Sequence, residues 1–166
     1  MSDGAFDPFL ILSALHEHQV EFVVVGGFAG RIWGSPTVTN DLDICYARDK
    51  ANRVRLAAVL KKLNARLRGA PPDLPFVLDE RTIELGDAFP FTTSAGSLGC
   101  LGTPPGTLGF PDLAANAESF DLGDGMIVRF ASLDDLIRMK KAAARPKDLI
   151  EVEILSAVRR ARGTDA

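Results

Sequence analysis

The feature that most constrains this chain is an unbroken apolar run, Phe22 to Val25, which ends abruptly in Gly26-Gly27 and is followed by a second strand-like segment opening on Asp41-Leu42-Asp43. A continuous, β-branched apolar run is the pattern of a strand buried on both faces. Two glycines at its end permit a sharp turn and leave the backbone open to close approach. Phe28 to Trp33 read as a short helical turn, stopped by the breaker Gly34-Ser35-Pro36. Two strands joined through a short helix predict an α/β (α+β) fold, a mixed β-sheet flanked by helices.

The rest of the chain supplies those helices and further strands. Pro8 to His18 has helical spacing. Asp49 is placed to cap a long amphipathic helix predicted to run to about Leu67, with Leu56, Val59, Leu60, Leu63 and Leu67 facing inward. Pro71, Pro72 and Pro75 forbid its continuation, and Phe76 to Gly102 reads as short strands broken by Gly and Pro. A small helix is expected over Leu108 to Ala117, then strands around Phe120 and over Met126 to Phe130. Ser132 with Asp135 approximates a capping box for a helix to about Ala144, and a last helix spans Asp148 to about Arg162. These C-terminal helices are expected to close the domain. The 166 residues fit one domain, 1–166, with its core over about 20–155.

Composition narrows the function classes. With 46% hydrophobic and 25% charged residues, the chain is far from a disordered one. A net charge of -3 gives no overall attraction to nucleic acid, so RNA contact has to use a local patch such as Lys50, Arg53, Arg55, Lys61, Lys62, Arg66 and Arg68. Two cysteines, Cys45 and Cys100, exclude a disulfide framework and a four-cysteine zinc site. The absence of a signal core, and of any apolar run near the roughly 18 residues of a membrane helix, predicts a cytoplasmic protein with no membrane partner. His16 and His18 stand two apart on a helix, point in different directions, and do not chelate together.

Asp41 and Asp43, two apart on a strand, project from one face and repel each other. A hard divalent cation relieves that repulsion, and Mg²⁺ with the phosphates of an NTP completing its shell suits two carboxylates. Gly26 and Gly27 put bare backbone N–H groups and a helix start beside the pair, where a triphosphate is favoured. Gly34-Ser35 adds a hydroxyl in the same connection.

Val23-Val24-Val25-Gly26-Gly27-Phe28-Ala29, then Gly34-Ser35, then Thr39-Asn40-Asp41-Leu42-Asp43 resemble the core of the polymerase-β-like nucleotidyltransferase superfamily. The segments Ser132 to Lys140 and Ala144-Arg145-Pro146-Lys147-Asp148 resemble the closing helices of its small bacterial members, including AbiE-type toxins of toxin–antitoxin pairs. The resemblance implies the nucleotidyltransferase fold and Mg²⁺-dependent transfer of a nucleoside monophosphate from an NTP to a hydroxyl of tRNA or protein, with an antitoxin as a further partner. It assigns Gly26, Gly27, Gly34, Ser35, Thr39 and Lys140 to the nucleotide, Asp41 and Asp43 to the metal, and Asp41, Asp43, Lys147 and Asp148 to catalysis. Two positions depart from the pattern. Gly99 stands where relatives carry a third carboxylate that activates the acceptor, and Thr37 stands where a basic residue often lies. Asp87, Asp121 and Asp124 are the candidate substitutes. Two readings follow: an enzyme working without that base, or a degenerate NTP-binding protein of the same fold.

Overall fold

The computed structural model describes residues 5–71, 73 and 77–164. Helix α1 (Pro8–Glu17) starts where the Asp7 carboxylate accepts the Leu10 N–H at 3.1 Å, and it buries Ile11, Leu12 and Leu15. Strand β1 (Phe22–Val25) is buried at all four positions, and helix α2 (Gly26–Trp33) begins at the next residue. Strand β2 (Asp41–Tyr46) follows, then helix α3 (Lys50–Lys62), capped by the Asp49 side chain. After it come β3 (Arg66–Leu67), α4 (Glu80–Leu85), β4 (Ala88–Thr93), β5 (Gly96–Leu101), α5 (Phe110–Asn116), β6 (Glu118–Asp121) and β7 (Ile127–Phe130). Helices α6 (Leu133–Ala143) and α7 (Pro146–Thr164) end the chain.

The strands form a seven-stranded mixed sheet in the order β3-β4-β5-β2-β1-β7-β6. Its centre is the antiparallel pair β1–β2, flanked by β5 parallel to β2 and by β7 parallel to β1. Leu42, Ile44 and Tyr46 of β2 are fully buried on one face, which leaves Asp41 and Asp43 on the other. Helices α6 and α7 pack together across a turn at Ala144 in the left-handed region (φ 56°), and α7 buries Val152 and Leu155. The far end of α7 is pinned to α2, because the Arg162 guanidinium lies 4.9 Å from the Trp33 ring centroid and donates to the Trp33 carbonyl at 2.9 Å. Among the described residues no helix is long and apolar enough to cross a membrane.

Some predicted boundaries move. The helix expected to reach Leu67 stops at Lys62, since Asn64 takes a positive φ (54°) and Arg66 and Leu67 leave to pair with Thr92 and Phe91 of β4. Long-range pairing overrides helical spacing there. The stretch read as short strands holds helix α4 as well, capped by Asp79, whose carboxylate accepts the Thr82 N–H at 2.8 Å. The final helix begins at Pro146 rather than Asp148, a residue whose fixed φ and missing N–H suit a first helical turn. Phe76 falls outside the described residues.

Candidate active site

Register sets the site. Asp43 pairs with Val25 on β1 and with Gly99 on β5, so its side chain lies between the start of α2 and the middle of β5. Gly26 (φ 71°) makes this close approach possible, since a Cβ there would stand 2.6 Å from Asp43 Oδ2. A Cβ at Gly99 would stand 2.3 Å from Asp43 Oδ1. The carboxylate of Asp43 therefore rests against two glycine backbones, one at each oxygen. The Thr39 hydroxyl donates to Asp41 Oδ1 at 3.2 Å and to the Asp41 carbonyl at 3.1 Å, orienting the second carboxylate. Gly27 leaves room for Thr39, whose Oγ1 would lie 3.1 Å from an added Cβ.

The N-terminus of α2 faces this pair without a side-chain cap, so its first N–H groups are unpaired by the helix itself. Such a terminus carries partial positive charge and favours an anion. Asp41, Asp43 and Gly27 line one cleft of about 660 Å³ with Lys140 of α6, Arg145 of the α6–α7 turn and Lys147 of α7, and with Arg68 from beyond β3. Burial, reinforced by the neighbouring Asp41 charge, raises the Asp43 carboxyl to about 6 against the pull of Lys140, Arg68 and Arg145.

Asp148 is fully buried and does not line this cleft. It accepts from Arg145 Nε at 2.6 Å, from the Arg145 N–H at 3.2 Å, and stands 3.5 Å from Lys140 Nζ. The Arg145 hydrogen bond, with Lys140 adding to it, holds its carboxyl below the usual range. Asp148 thus anchors two of the cations that line the cleft, while Lys147 reaches the lining directly. Gly34 and Ser35 lie at the opposite end of α2 and are not among the lining residues. Gly34 ends the helix with φ 121°, and the buried Ser35 hydroxyl donates to Glu151 at 3.3 Å while accepting the Thr37 N–H at 3.2 Å.

Glu151 is a lining residue that sequence reasoning passed over, and Arg68, read there only within the basic run, lines the cleft as well. Glu151 is buried in the cleft wall, accepting from Thr37 Oγ1 at 2.9 Å as well as from Ser35. Its helical spacing of four from Lys147 was the available signal. Arg68 had none, because only the pairing of β3 with β4 carries it to the cleft. The substitutes for the missing carboxylate are elsewhere: Asp87 pairs with Arg48, and Asp121 and Asp124 lie on β6 and the turn after it, at the far edge of the sheet. Part of the basic run on α3 is committed, with Arg53 bound to Glu80 at 2.9 Å and Glu84 at 2.6 Å. Both thiols are buried, and burial pushes Cys45 up to about 12, which makes it a poor nucleophile. Trp33 is buried, its indole N–H donating to the Ala131 carbonyl at 2.8 Å.

Among the described residues no group of three or more His, Cys, Asp or Glu is placed to hold a metal ion. The Asp41 and Asp43 pair nevertheless fits Mg²⁺, which takes one or two carboxylates and fills its shell with water and substrate phosphate. The unfavourable burial of negative charge at Asp43 is the feature a divalent ion would relieve.

The sequence matches no protein-family profile and no curated protein. Among solved structures, the fold is similar to that of the antibiotic-resistance factor ANT(2'')-Ia, with 18% identity and a TM-score of 0.53 over 95% of this chain and 91% of that one. It is also similar to the lincosamide antibiotic adenylyltransferase LnuA, solved with lincomycin bound, with 12% identity and a TM-score of 0.58 over 93% of this chain and 99% of that one. With the mixed sheet, the flanking helices and the closing α6–α7 pair, these similarities identify the nucleotidyltransferase fold.

Proposed function

We propose that this chain is a nucleotidyltransferase that moves a nucleoside monophosphate from an NTP to an acceptor in the presence of Mg²⁺. One observation carries the reading: Asp41 and Asp43 face an uncapped helix N-terminus inside a single cleft lined by four cations, Arg68, Lys140, Arg145 and Lys147. The N–H groups opening α2 bind phosphate oxygens, and Lys140, Arg145 and Lys147 offset triphosphate charge. Asp148 holds Lys140 and Arg145 in place without touching the nucleotide. Asp41, turned by Thr39, and Asp43, seated on Gly26 and Gly99, are the residues that would hold Mg²⁺, which supplies charge stabilisation at the transferring phosphoryl group.

The resemblance of the sequence to AbiE-type members favours a hydroxyl on tRNA or protein as the acceptor and a toxin–antitoxin pair as the biological setting; the similarity to ANT(2'')-Ia and LnuA supports the nucleotidyl-transfer half. Incubation with Mg²⁺, α-labelled NTPs and bulk tRNA or total protein tests the reading. Label transfer that disappears in Asp41→Asn and Asp43→Asn supports it, and transfer unaffected by either change overturns it.

A second reading rests on Gly99, which puts no acidic group opposite Asp43. It keeps the pocket and removes turnover, leaving an NTP-binding regulatory protein. Calorimetry separates the two, since this reading requires NTP binding with no product under any acceptor.

A further inference from the structure

The two sides of Asp43 differ. On one side Val25 pairs with it, Gly26 opens α2, and Lys140, Arg145 and Lys147 line the wall. On the other the sheet continues through Gly99 of β5 and Pro90 of β4, and the Pro90 carbonyl accepts the Arg68 N–H at 2.8 Å. Arg68 is exposed, lines the same cleft, and acts on the Asp43 charge from that side. In phosphoryl transfer the attacking and leaving oxygens lie roughly in line. With the leaving pyrophosphate held by α2, α6 and α7, the nucleophile arrives over Gly99 and Pro90, on the side of Arg68.

The strand positions on that approach carry no carboxylate. The positions in register with Asp41 and Asp43 are Ser97 and Gly99 on β5, and Thr92 and Pro90 beyond them on β4. A side chain at position 99 would meet the Asp43 carboxylate as it stands. Both oxygens of Glu151 are engaged by the Ser35 and Thr37 hydroxyls. A hydroxyl nucleophile has to lose its proton, and a missing general base slows that by about 10²–10⁴-fold. A phosphate monoester has no such need, because its second ionisation lies near ~6 and its terminal oxygens are already charged at neutral pH.

We propose, resting on the nucleotidyl-transfer reading above and replacing its hydroxyl acceptor, that the acceptor is the phosphate of a phosphate monoester, received by Arg68. One of its charged oxygens forms a bond to the α-phosphorus of the NTP. The bond from that phosphorus to the α,β-bridging oxygen breaks, its electron pair leaving with pyrophosphate. The product is a diphosphate-bridged nucleotide, and no proton is taken from the acceptor.

The test uses α-labelled NTP and Mg²⁺ with two phosphorylated acceptors, a 5′-phosphorylated oligoribonucleotide and glucose 1-phosphate, each beside its dephosphorylated counterpart. Label in a phosphatase-resistant diphosphate, formed at least ~100-fold faster with one phosphorylated acceptor than with its counterpart, supports the proposal and identifies the source of the phosphate. Transfer to the dephosphorylated counterparts at an equal rate overturns it while nucleotidyl transfer stands; no transfer in any arm overturns both. Calorimetry adds a readout apart from turnover. With a non-hydrolysable NTP analogue present, Arg68→Ala is expected to weaken binding of the preferred phosphorylated acceptor about tenfold and to weaken binding of its dephosphorylated counterpart much less. Equal weakening of both overturns the role given to Arg68.

Discussion

The two ends of helix α2 carry similar residues and are built for different tasks. At the N-terminus, Gly26 and Gly27 present open backbone to a polar cleft, with Asp43 packed against Gly26 and no side chain capping the first N–H groups. At the C-terminus, Gly34 ends the helix and Ser35 turns its hydroxyl inward to a buried glutamate on α7. Both pairs read in sequence as phosphate ligands. The difference lies in what is spent: at Gly34-Ser35 the Ser35 hydroxyl is used in tying the α2–β2 connection to α7.

The comparison breaks first at Asp43. Asp43→Asn is expected to lower nucleotidyl transfer by roughly two to three orders of magnitude in a label-transfer assay, because it removes a carboxylate that would hold the Mg²⁺ offsetting phosphate charge. The same change is expected to stabilise the metal-free fold. The Asp43 carboxyl rises from 3.8 to about 6 in the folded protein, so the folded state holds a proton that the unfolded chain releases between those values. Stability therefore falls as pH rises through that window and stays lowered above it. At pH 7–8 Asp43→Asn should gain up to about 2 to 3 kcal/mol over the parent, and near pH 3 nothing. A denaturant titration at both pH values without Mg²⁺ checks this, and equal stability at pH 7 removes the claim that the carboxylate is held at a cost.

Gly26→Ala sharpens the same end. A side chain at φ 71° costs about 1–2 kcal/mol and meets Asp43 Oδ2, so both stability and NTP affinity should drop, the affinity by about tenfold. Unchanged NTP binding by calorimetry would detach α2 from the nucleotide. The smallest effect belongs to the other end. Ser35→Ala leaves Glu151 with the Thr37 hydroxyl alone, a loss of about 1 kcal/mol in thermal or denaturant melts, with KM for NTP nearly unchanged. A KM rise as large as that of Gly26→Ala would show Ser35 acting on phosphate after all.

Elements with short-range signals were legible from the residues. The β1 run, the Asp41-x-Asp43 face and the caps at Asp49 and Ser132 sit where spacing and side-chain chemistry put them. Less legible was anything set by pairing across the sheet: the early end of α3 at Lys62, the helix α4, and the placing of Arg68 at the cleft. Asp148 shows the limit inside a motif, since Lys147-Asp148 are adjacent in sequence yet one lines the cleft and the other lies buried beneath two cations.

Local chemistry by itself determined that this chain has a buried strand ending in glycines and two carboxylates on one face of the next, because period-two alternation and the lack of a Cβ act over neighbouring residues. Only the tertiary structure decided that Asp43 rests between Gly26 and Gly99, that the cleft's cations come from both its walls, and that Ser35 faces inward. Those outcomes depend on strand register and helix docking, where one residue of slip would exchange every inward side chain for an outward one.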